Sequence, residues 1–349
     1  MSSGIRHPGV QAGLASAVLF GAGTPVAKLL LGEVSPWLLA GLLYVGSGLG
    51  LGLYRVVRRS PRVRLAPGEW RPLAGAVLFG GVLGPVLLMA GLAGMPASGA
   101  SLLLNAEGVF TALLAWFVFR ENVDRRIALG MAAIVAGAVV LSVPAGAAEF
   151  GPPWPALAVL GACLCWGIDN NLTRTVALTD ATWLAAVKGG VAGPVNLALA
   201  FLLGAALPPA WSIAAAMGVG LLAYGVSLVL FIVALRQVGT ARAGAYFSVA
   251  PFFGAIVALA LGEPVTIPLL VAAALMALGV WLHLSERHEH EHTHAPMTHD
   301  HWHRHDDGHH GHTHAEPVAP GTWHRHRHTH EAITHAHPHF PDAHHRHDH

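Results

Sequence analysis

Charge is what this sequence has least of. Only 11% of its 349 residues are charged, against roughly 25% in an ordinary soluble domain. Residues 72–106 carry no Asp, Glu, Lys or Arg, and neither do residues 189–235. Cysteine is almost missing as well: Cys163 and Cys165 are the two present, too few for a disulfide framework and without zinc-finger spacing. On a helix, positions i and i+2 point about 200° apart, so this pair reads as small packing residues. There is no block of basic residues interleaved with aromatics, so nucleic acid is not an expected partner. P-loop, H-E-x-x-H and nucleophile–base patterns are lacking too. That leaves neither an enzyme nor ATP-driven pumping supported, and no organic cofactor is expected.

What is present is apolar. Hydrophobic residues make up 54% of the chain and glycine contributes 41 residues, a combination suited to close-packed membrane helices. A bilayer core of about 30 Å needs about 20 apolar residues in a helix, and the long uncharged runs each hold about two such lengths. Turns fall at Met95-Pro96 and Pro208-Pro209. The runs predict helices near 11–31, 36–57, 71–93, 97–118, 125–144, 154–177, 181–203, 212–235, 241–261 and 267–284. The expected class is therefore an all-α integral membrane protein of ten transmembrane helices, with the lipid bilayer as its surroundings. The apolar segment after Arg6 is read as the first span rather than as a cleaved signal. Trp70, Trp154 and Trp211 stand at span starts, where indoles anchor to the interface.

Arginine placement orients the spans. Arg55, Arg58, Arg59, Arg62 and Arg64 follow the second helix, Arg120, Arg125 and Arg126 the fourth, and Arg236 and Arg242 the eighth. The opposite loops, around Met95, Ala147, Pro208 and Glu263, have no Lys or Arg. By the positive-inside rule the basic side is cytoplasmic. Both termini are then expected there, in a cell (inner or plasma) membrane.

A faint internal repeat is also present. Gly21, Lys28, Trp37, Leu38 and Ala40 align with Gly167, Arg174, Trp183, Leu184 and Ala186, and Phe110, Glu121 and Gly137 align with Phe252, Glu263 and Gly279. Units of five helices must lie upside down relative to one another. The arginine-rich loop after the second helix corresponds to the uncharged loop after the seventh, as that inversion requires. Inverted repeats accompany alternating access, with the substrate near the midplane. The expected organisation is a first five-helix repeat over 1–148, a second over 149–284, and a histidine-rich tail over 285–349.

Several stretches resemble the drug/metabolite transporter superfamily, specifically its EamA-type members. They are Phe20-Gly21 with Pro25 and Lys28, Thr111-Ala112-Leu113-Leu114-Ala115-Trp116 ending at Arg120-Glu121, Ala241-Arg242-Ala243, Pro251-Phe252-Phe253 and Leu261-Gly262-Glu263. The resemblance covers roughly residues 10–284. It implies two inverted five-helix repeats and secondary transport of a small solute, with members handling amino acids, nucleotide precursors, sugars or toxic cations. Glu107-Gly108-Val109 departs from it, because a proline aligned with Pro251 would be typical there.

Charged and polar residues inside spans are costly and face a cavity or a partner. Glu107 with Asn105 nearby, the run Asp169-Asn170-Asn171, and Lys188 are the candidates for an in-membrane substrate, ion or proton site. Lys188 would be the counter-charge, or else a structural ion pair with Asp169 that only fixes packing. Asp169 and Thr173 share a helix face. Lys28 and Arg174 lie near helix ends, where long cations snorkel. Glu121 and Glu263 read as helix-terminus or loop contacts.

The tail holds 23 of the 25 histidines. They alternate at His288, His290, His292 and His294, at His299, His301, His303 and His305, at His324, His326, His328 and His330, and at His335, His337 and His339. Composition this polar predicts disorder without metal. In an extended chain i and i+2 fall on one side, and imidazole suits Zn, Ni and Co, so a divalent transition metal is the expected tail ligand. Three functions follow. The first is a secondary transporter of a substrate linked to divalent metal (Ni, Co or Zn). The second is a carrier of a small organic metabolite or drug with a metal-responsive tail. The third is a membrane metal sensor or buffer.

Overall fold

The computed structural model describes residues 7–63, 65, 67–119, 125–142, 153–174, 176, 180–238, 243, 246–284, 289–294, 297–303, 324–330 and 333–338. The chain divides into two units, Met1–Glu286 and Arg287–His349.

The first unit is helical. Its first helix, α1 (Pro8–Leu30), opens on His7, whose Nδ1 accepts from the Gly9 N–H at 3.1 Å, with Pro8 at the first helical position, where its missing N–H costs nothing. Pro36 likewise stands at the first helical position of α2 (Pro36–Val57), after Ser35, whose side chain makes no capping hydrogen bond. Then come α3 (Trp70–Ala76), a π-helical segment Val77–Leu83 and α4 (Gly84–Ala93), together one continuous span, Trp70–Ala93. The stretch expected at 97–118 is divided. It forms α5 (Ala97–Leu103) and α6 (Ala106–Phe119), separated by a turn at Leu104-Asn105.

Helices α7 (Arg125–Ser142), α8 (Trp154–Arg174) and α9 (Ala181–Leu202) follow. Then α10 (Ala210–Val219), a second π segment Gly220–Val226 and α11 (Ser227–Val238) form another long rod. The unit ends with α12 (Ala250–Ala260) and α13 (Ile267–Leu284). Among the described residues, six helical spans are long and apolar enough to cross a bilayer, and shorter apolar helices accompany them. The site-bearing helix α8 is not one of the six, because Asp169, Asn170, Asn171 and Arg174 dilute its hydropathy.

Apolar residues cover the outside as well as the inside. Leu38, Leu39, Leu43, Leu88, Met89, Leu92, Leu102 and Leu103 are fully buried, while Leu202 is 83% and Phe117 71% exposed. A helix that is apolar all round belongs in lipid. Trp70, Trp154 and Trp211 are exposed at the starts of their helices.

Helix contacts run in matched pairs. α1 packs on α11 and α12, and α8 packs on α4 and α6; α2 lies along α9, and α7 along α13. Small residues permit the close approaches. A Cβ on Gly137 of α7 would meet the Ala272 carbonyl at 3.1 Å, and one on Gly279 of α13 would meet the Gly130 carbonyl at 2.6 Å. These two glycines, aligned by the internal repeat, thus seat the same interface from both sides.

Among its described residues, the second unit holds four short strands. β1 (Glu289–His294) pairs antiparallel with β4 (Ile333–Pro338), and β2 (Met297–His303) pairs antiparallel with β3 (His324–His330). The described part of a tail whose composition predicts disorder without metal thus contains paired strands. Polarity removes a core, but strict alternation is the period of a strand, and paired strands satisfy their own backbone groups. His288, His305 and His339 lie outside the described residues.

Candidate functional site

The polar residues of the helical unit meet where the C-terminal half of α8 faces α6, α9 and the first π segment. Lys188 of α9 donates to both carboxylate oxygens of Asp169, each at 2.6 Å, with side chains only 8% and 10% exposed. One turn further along α8, Thr173 Oγ1 donates to Asp169 Oδ1 at 2.8 Å. Two charges taken out of water are tolerable when paired and hydrogen-bonded in this way.

The π segment makes room for the pair. A Cβ on Gly80 would collide with the Asp169 carboxylate. The Gly80 carbonyl accepts from Tyr44 Oη at 2.6 Å and Trp166 Nε1 at 3.1 Å. Asn196 Nδ2 donates to the neighbouring Gly81 carbonyl at 3.0 Å. Side chains thus anchor the irregular backbone where the i→i−4 ladder is broken, and such π segments are common at functional sites.

Beside the ion pair, Asn170 Nδ2 donates to Glu107 Oε1 at 2.8 Å and to Thr111 Oγ1 at 3.4 Å. Glu107 stands in the first turn of α6, not midway along a helix as expected, because the turn at Leu104-Asn105 restarts the helix there. A helix N-terminus favours a carboxylate. Asn171 faces inward, donating to the Gly167 carbonyl at 2.8 Å and the Thr111 carbonyl at 3.3 Å. It ties α8 to α6. Asn170 is exposed and Glu107 half-buried, so this edge of the cluster is open.

Of the expected site residues, Glu107, Asp169, Asn170, Asn171 and Lys188 come together. Asn105 does not: its Nδ2 donates to the Leu102 carbonyl at 2.9 Å and meets Met276 Sδ at 3.8 Å, bracing the turn between α5 and α6. Thr173 meets Asp169 on the helix face that their spacing implies, whereas Thr111 and Gly80 were missed. Thr111 lies one helical turn beyond Glu107, and that i,i+4 spacing was the available signal. An aromatic group borders the cluster: Phe20 lies 6.0 Å from Trp166, 6.0 Å from Tyr224 and 5.3 Å from Phe247.

Two polar contacts sit at helix ends. Arg55 Nη1 pairs with Asp180 Oδ1 at 2.8 Å, and Asp180 caps α9 by accepting from the Trp183 N–H at 3.0 Å. Partial burial opposes its ionisation, but Thr182, Arg55 and the Trp183 N–H overcome that and hold its carboxyl at about 2. Elsewhere Glu263 accepts from the backbone N–H groups of Ala97 and Ser98 at 2.7 and 2.8 Å, capping α5. Burial again opposes, and these donors keep Glu263 below the usual carboxylate range. Lys28 Nζ donates to the Leu92 carbonyl at 2.6 Å at the end of α4. Glu121 and the Arg174 side chain lie outside the described residues.

Helices clad in apolar side chains, surrounding a charged and amide-lined cluster partly open at one edge, define a multi-pass membrane protein that handles a small solute. The EamA-like transporter family model matches this chain twice, over residues 7–143 and 153–285, and the chain belongs to that family. An uncharacterized transporter from Methanothermobacter thermautotrophicus (strain Delta H) is 27% identical over 290 residues, 77% of this chain and 84% of that protein. In fold, the chain is similar to a protein known from a crystal structure, with a TM-score of 0.61 at 19% identity, covering 79% of this chain and 96% of the other. The family points to a transporter rather than an enzyme.

Proposed function

We propose that this protein is a secondary carrier of a small polar organic solute, working by alternating access between two five-helix halves of opposite orientation. Support for the inversion comes from helix pairing. α1 meets α11 and α12 as α8 meets α4 and α6, a swap of first-half for second-half partners. The π segments Val77–Leu83 and Gly220–Val226 occupy corresponding rods. Arginines gathered in alternate loops favour cytoplasmic termini in a cell membrane.

The observation that carries the substrate reading is the Asp169–Lys188 pair. It cancels one carboxylate, so Glu107 is left as the acidic group of the cluster, beside Asn170 and Thr111. Glu107, Asn170 and Thr111 are the groups that would touch the solute. Donors or a cationic group on the solute would replace the Asn170 hydrogen bond to Glu107. One carboxylate with an amide and a hydroxyl is a poor site for Ni, Co or Zn, which favour imidazole, thiolate or several carboxylates. Among the residues whose side chains are described, no group of three or more His, Cys, Asp or Glu could hold a metal ion.

A metal ion as cargo is the second reading, favoured by the histidines of the tail. Proteoliposomes decide between them. Counterflow is measured with radiolabelled amino acids, hexoses and nucleosides, and Ni²⁺, Co²⁺ and Zn²⁺ entry is followed with an entrapped dye. The proposal expects saturable flux of one organic class, a loss of at least tenfold in Glu107→Gln, and no metal entry. Saturable metal entry instead, or metal binding with no flux of any probe, as a sensor or buffer would show, overturns it.

A further inference from the structure

The two strand pairs of the tail share a single register. Stepping inward one residue at a time on both strands, from Glu289↔Pro338, leads without slippage to His303↔His324. β1 with β4 and β2 with β3 are thus two antiparallel pairs whose registers agree.

That register sets histidine opposite histidine at five positions. The pairs are His290↔His337, His292↔His335, His299↔His328, His301↔His326 and His303↔His324. Directly opposed residues share a face, as do residues two apart on one strand. In β2 and β3, His299, His301, His303, His324, His326 and His328 thus belong to one face. The other face sets Thr298 opposite Thr329, Asp300 opposite Arg327 and Trp302 opposite Arg325. Paired threonines and opposite charges are combinations that stabilise an antiparallel ladder. A slip of one residue would exchange the faces and set histidine against Asp, Arg or Trp. The register that suits one face chemically is therefore the register that matches the histidines on the other.

Opposed Cα atoms in such a ladder lie about 4.5–5.5 Å apart, and diagonal neighbours about 7–8 Å. Two adjacent rungs therefore bring four histidine positions together, the number of ligands a tetrahedral divalent metal takes.

We propose that the tail is a two-site metal ladder for divalent ions of the imidazole-binding class. One site is built from the rungs His290↔His337 and His292↔His335. The other is built from His299↔His328 and His301↔His326, with His303↔His324 as its flanking rung. Metal joins strands that are far apart in sequence, so binding locks the ladder. His309, His310, His344 and His345 belong to none of these rungs and lie outside the described residues.

Zn²⁺ binding to the full-length protein in detergent tests this by equilibrium dialysis. The variant His299→Ala/His301→Ala/His326→Ala/His328→Ala is compared with His309→Ala/His310→Ala/His344→Ala/His345→Ala, which loses as many imidazoles. The ladder variant is expected to lose one tight Zn²⁺, with at least a tenfold weaker Kd at that site, and the off-ladder variant to keep both. Hydrogen exchange supplies a readout of structure: Zn²⁺ should slow amide exchange in residues 297–303 and 324–330 of the parent and of the off-ladder variant, but not of the ladder variant. Equal loss of zinc in the two variants, or exchange unchanged by Zn²⁺ in the parent, overturns the ladder. Neither result bears on the transport reading, since every substituted residue lies outside the membrane helices.

Discussion

Replacing Lys188 with methionine keeps the apolar stem of the side chain and removes its charge. Asp169 then stays buried with Thr173 as its remaining hydrogen-bond donor. Water cannot readily reach it, because Gly80 packs directly against the carboxylate. Stranding one partner of a buried pair costs about 3–5 kcal/mol. At roughly 2–4 °C per kcal/mol for a chain of this order of size, the melting temperature should fall on the order of 10 °C. Removing both charges, as in Asp169→Asn/Lys188→Met, should restore most of the loss, because replacing a whole buried pair by neutral groups is often close to neutral. The assay is thermal unfolding of detergent-purified protein followed by tryptophan fluorescence, arranged as a double-mutant cycle. A single variant melting within about 2 °C of the parent, or a double variant as unstable as the two singles added together, would refute the idea that the pair neutralises itself.

Gly80→Ala should destabilise by about 1–3 kcal/mol through overpacking and should lower flux, since its Cβ displaces the Asp169 carboxylate; the melting curve and the counterflow assay read the two effects separately. Asp180→Ala should cost about 0.5–2 kcal/mol as a lost helix N-cap, seen as a lower melting temperature at neutral pH. The folded carboxyl of Asp180 lies at about 2, below its ordinary 3.8. Its contribution should therefore be full above pH 3.8 and fade as the pH falls toward 2. A parent-minus-variant difference that instead grows on acidification contradicts this.

Much of the helical unit could be read from where charge is missing. The runs at 36–57 and 267–284 coincide with α2 and α13, because Pro36 and Pro268 stand in the first turns and Arg58 and Arg287 follow the ends. The turn that divides α5 from α6 was not legible: Leu104-Asn105 carries no proline or glycine, and it is held by Asn105 reaching Leu102 and Met276. That is a tertiary contact, and it also explains why Asn105 was misplaced in the site. The π segments gave no periodic signal either. The Gly80-Gly81 doublet is visible in the sequence, but the need for it arises only when Asp169 packs against Gly80.

At the site, the residue types were legible, and so was an Asp169–Lys188 ion pair as one of two readings, but the partner of Glu107 was not. An intramembrane acid and base announce a site or an ion pair alike, and only the 2.6 Å contacts of Lys188 place it on Asp169 and leave Glu107 to Asn170. In the tail, composition and periodicity point in different directions. Lack of apolar residues predicts disorder without metal, while the two-residue period of the histidines is a strand period. The register that opposes His299 to His328 joins residues far apart in sequence, and no local pattern specifies it.

The central claim is that two halves of opposite orientation cross the bilayer around a shared site, and impermeant maleimide labelling tests it most directly. Single cysteines are placed at Ser60, in the turn after α2, and at Ala206, in the corresponding turn after α9, in a background where Cys163 and Cys165 are replaced by alanine. The account predicts that Ser60→Cys is labelled in inside-out vesicles and protected in intact cells, and that Ala206→Cys shows the reverse. Labelling of both positions from the same side would contradict it.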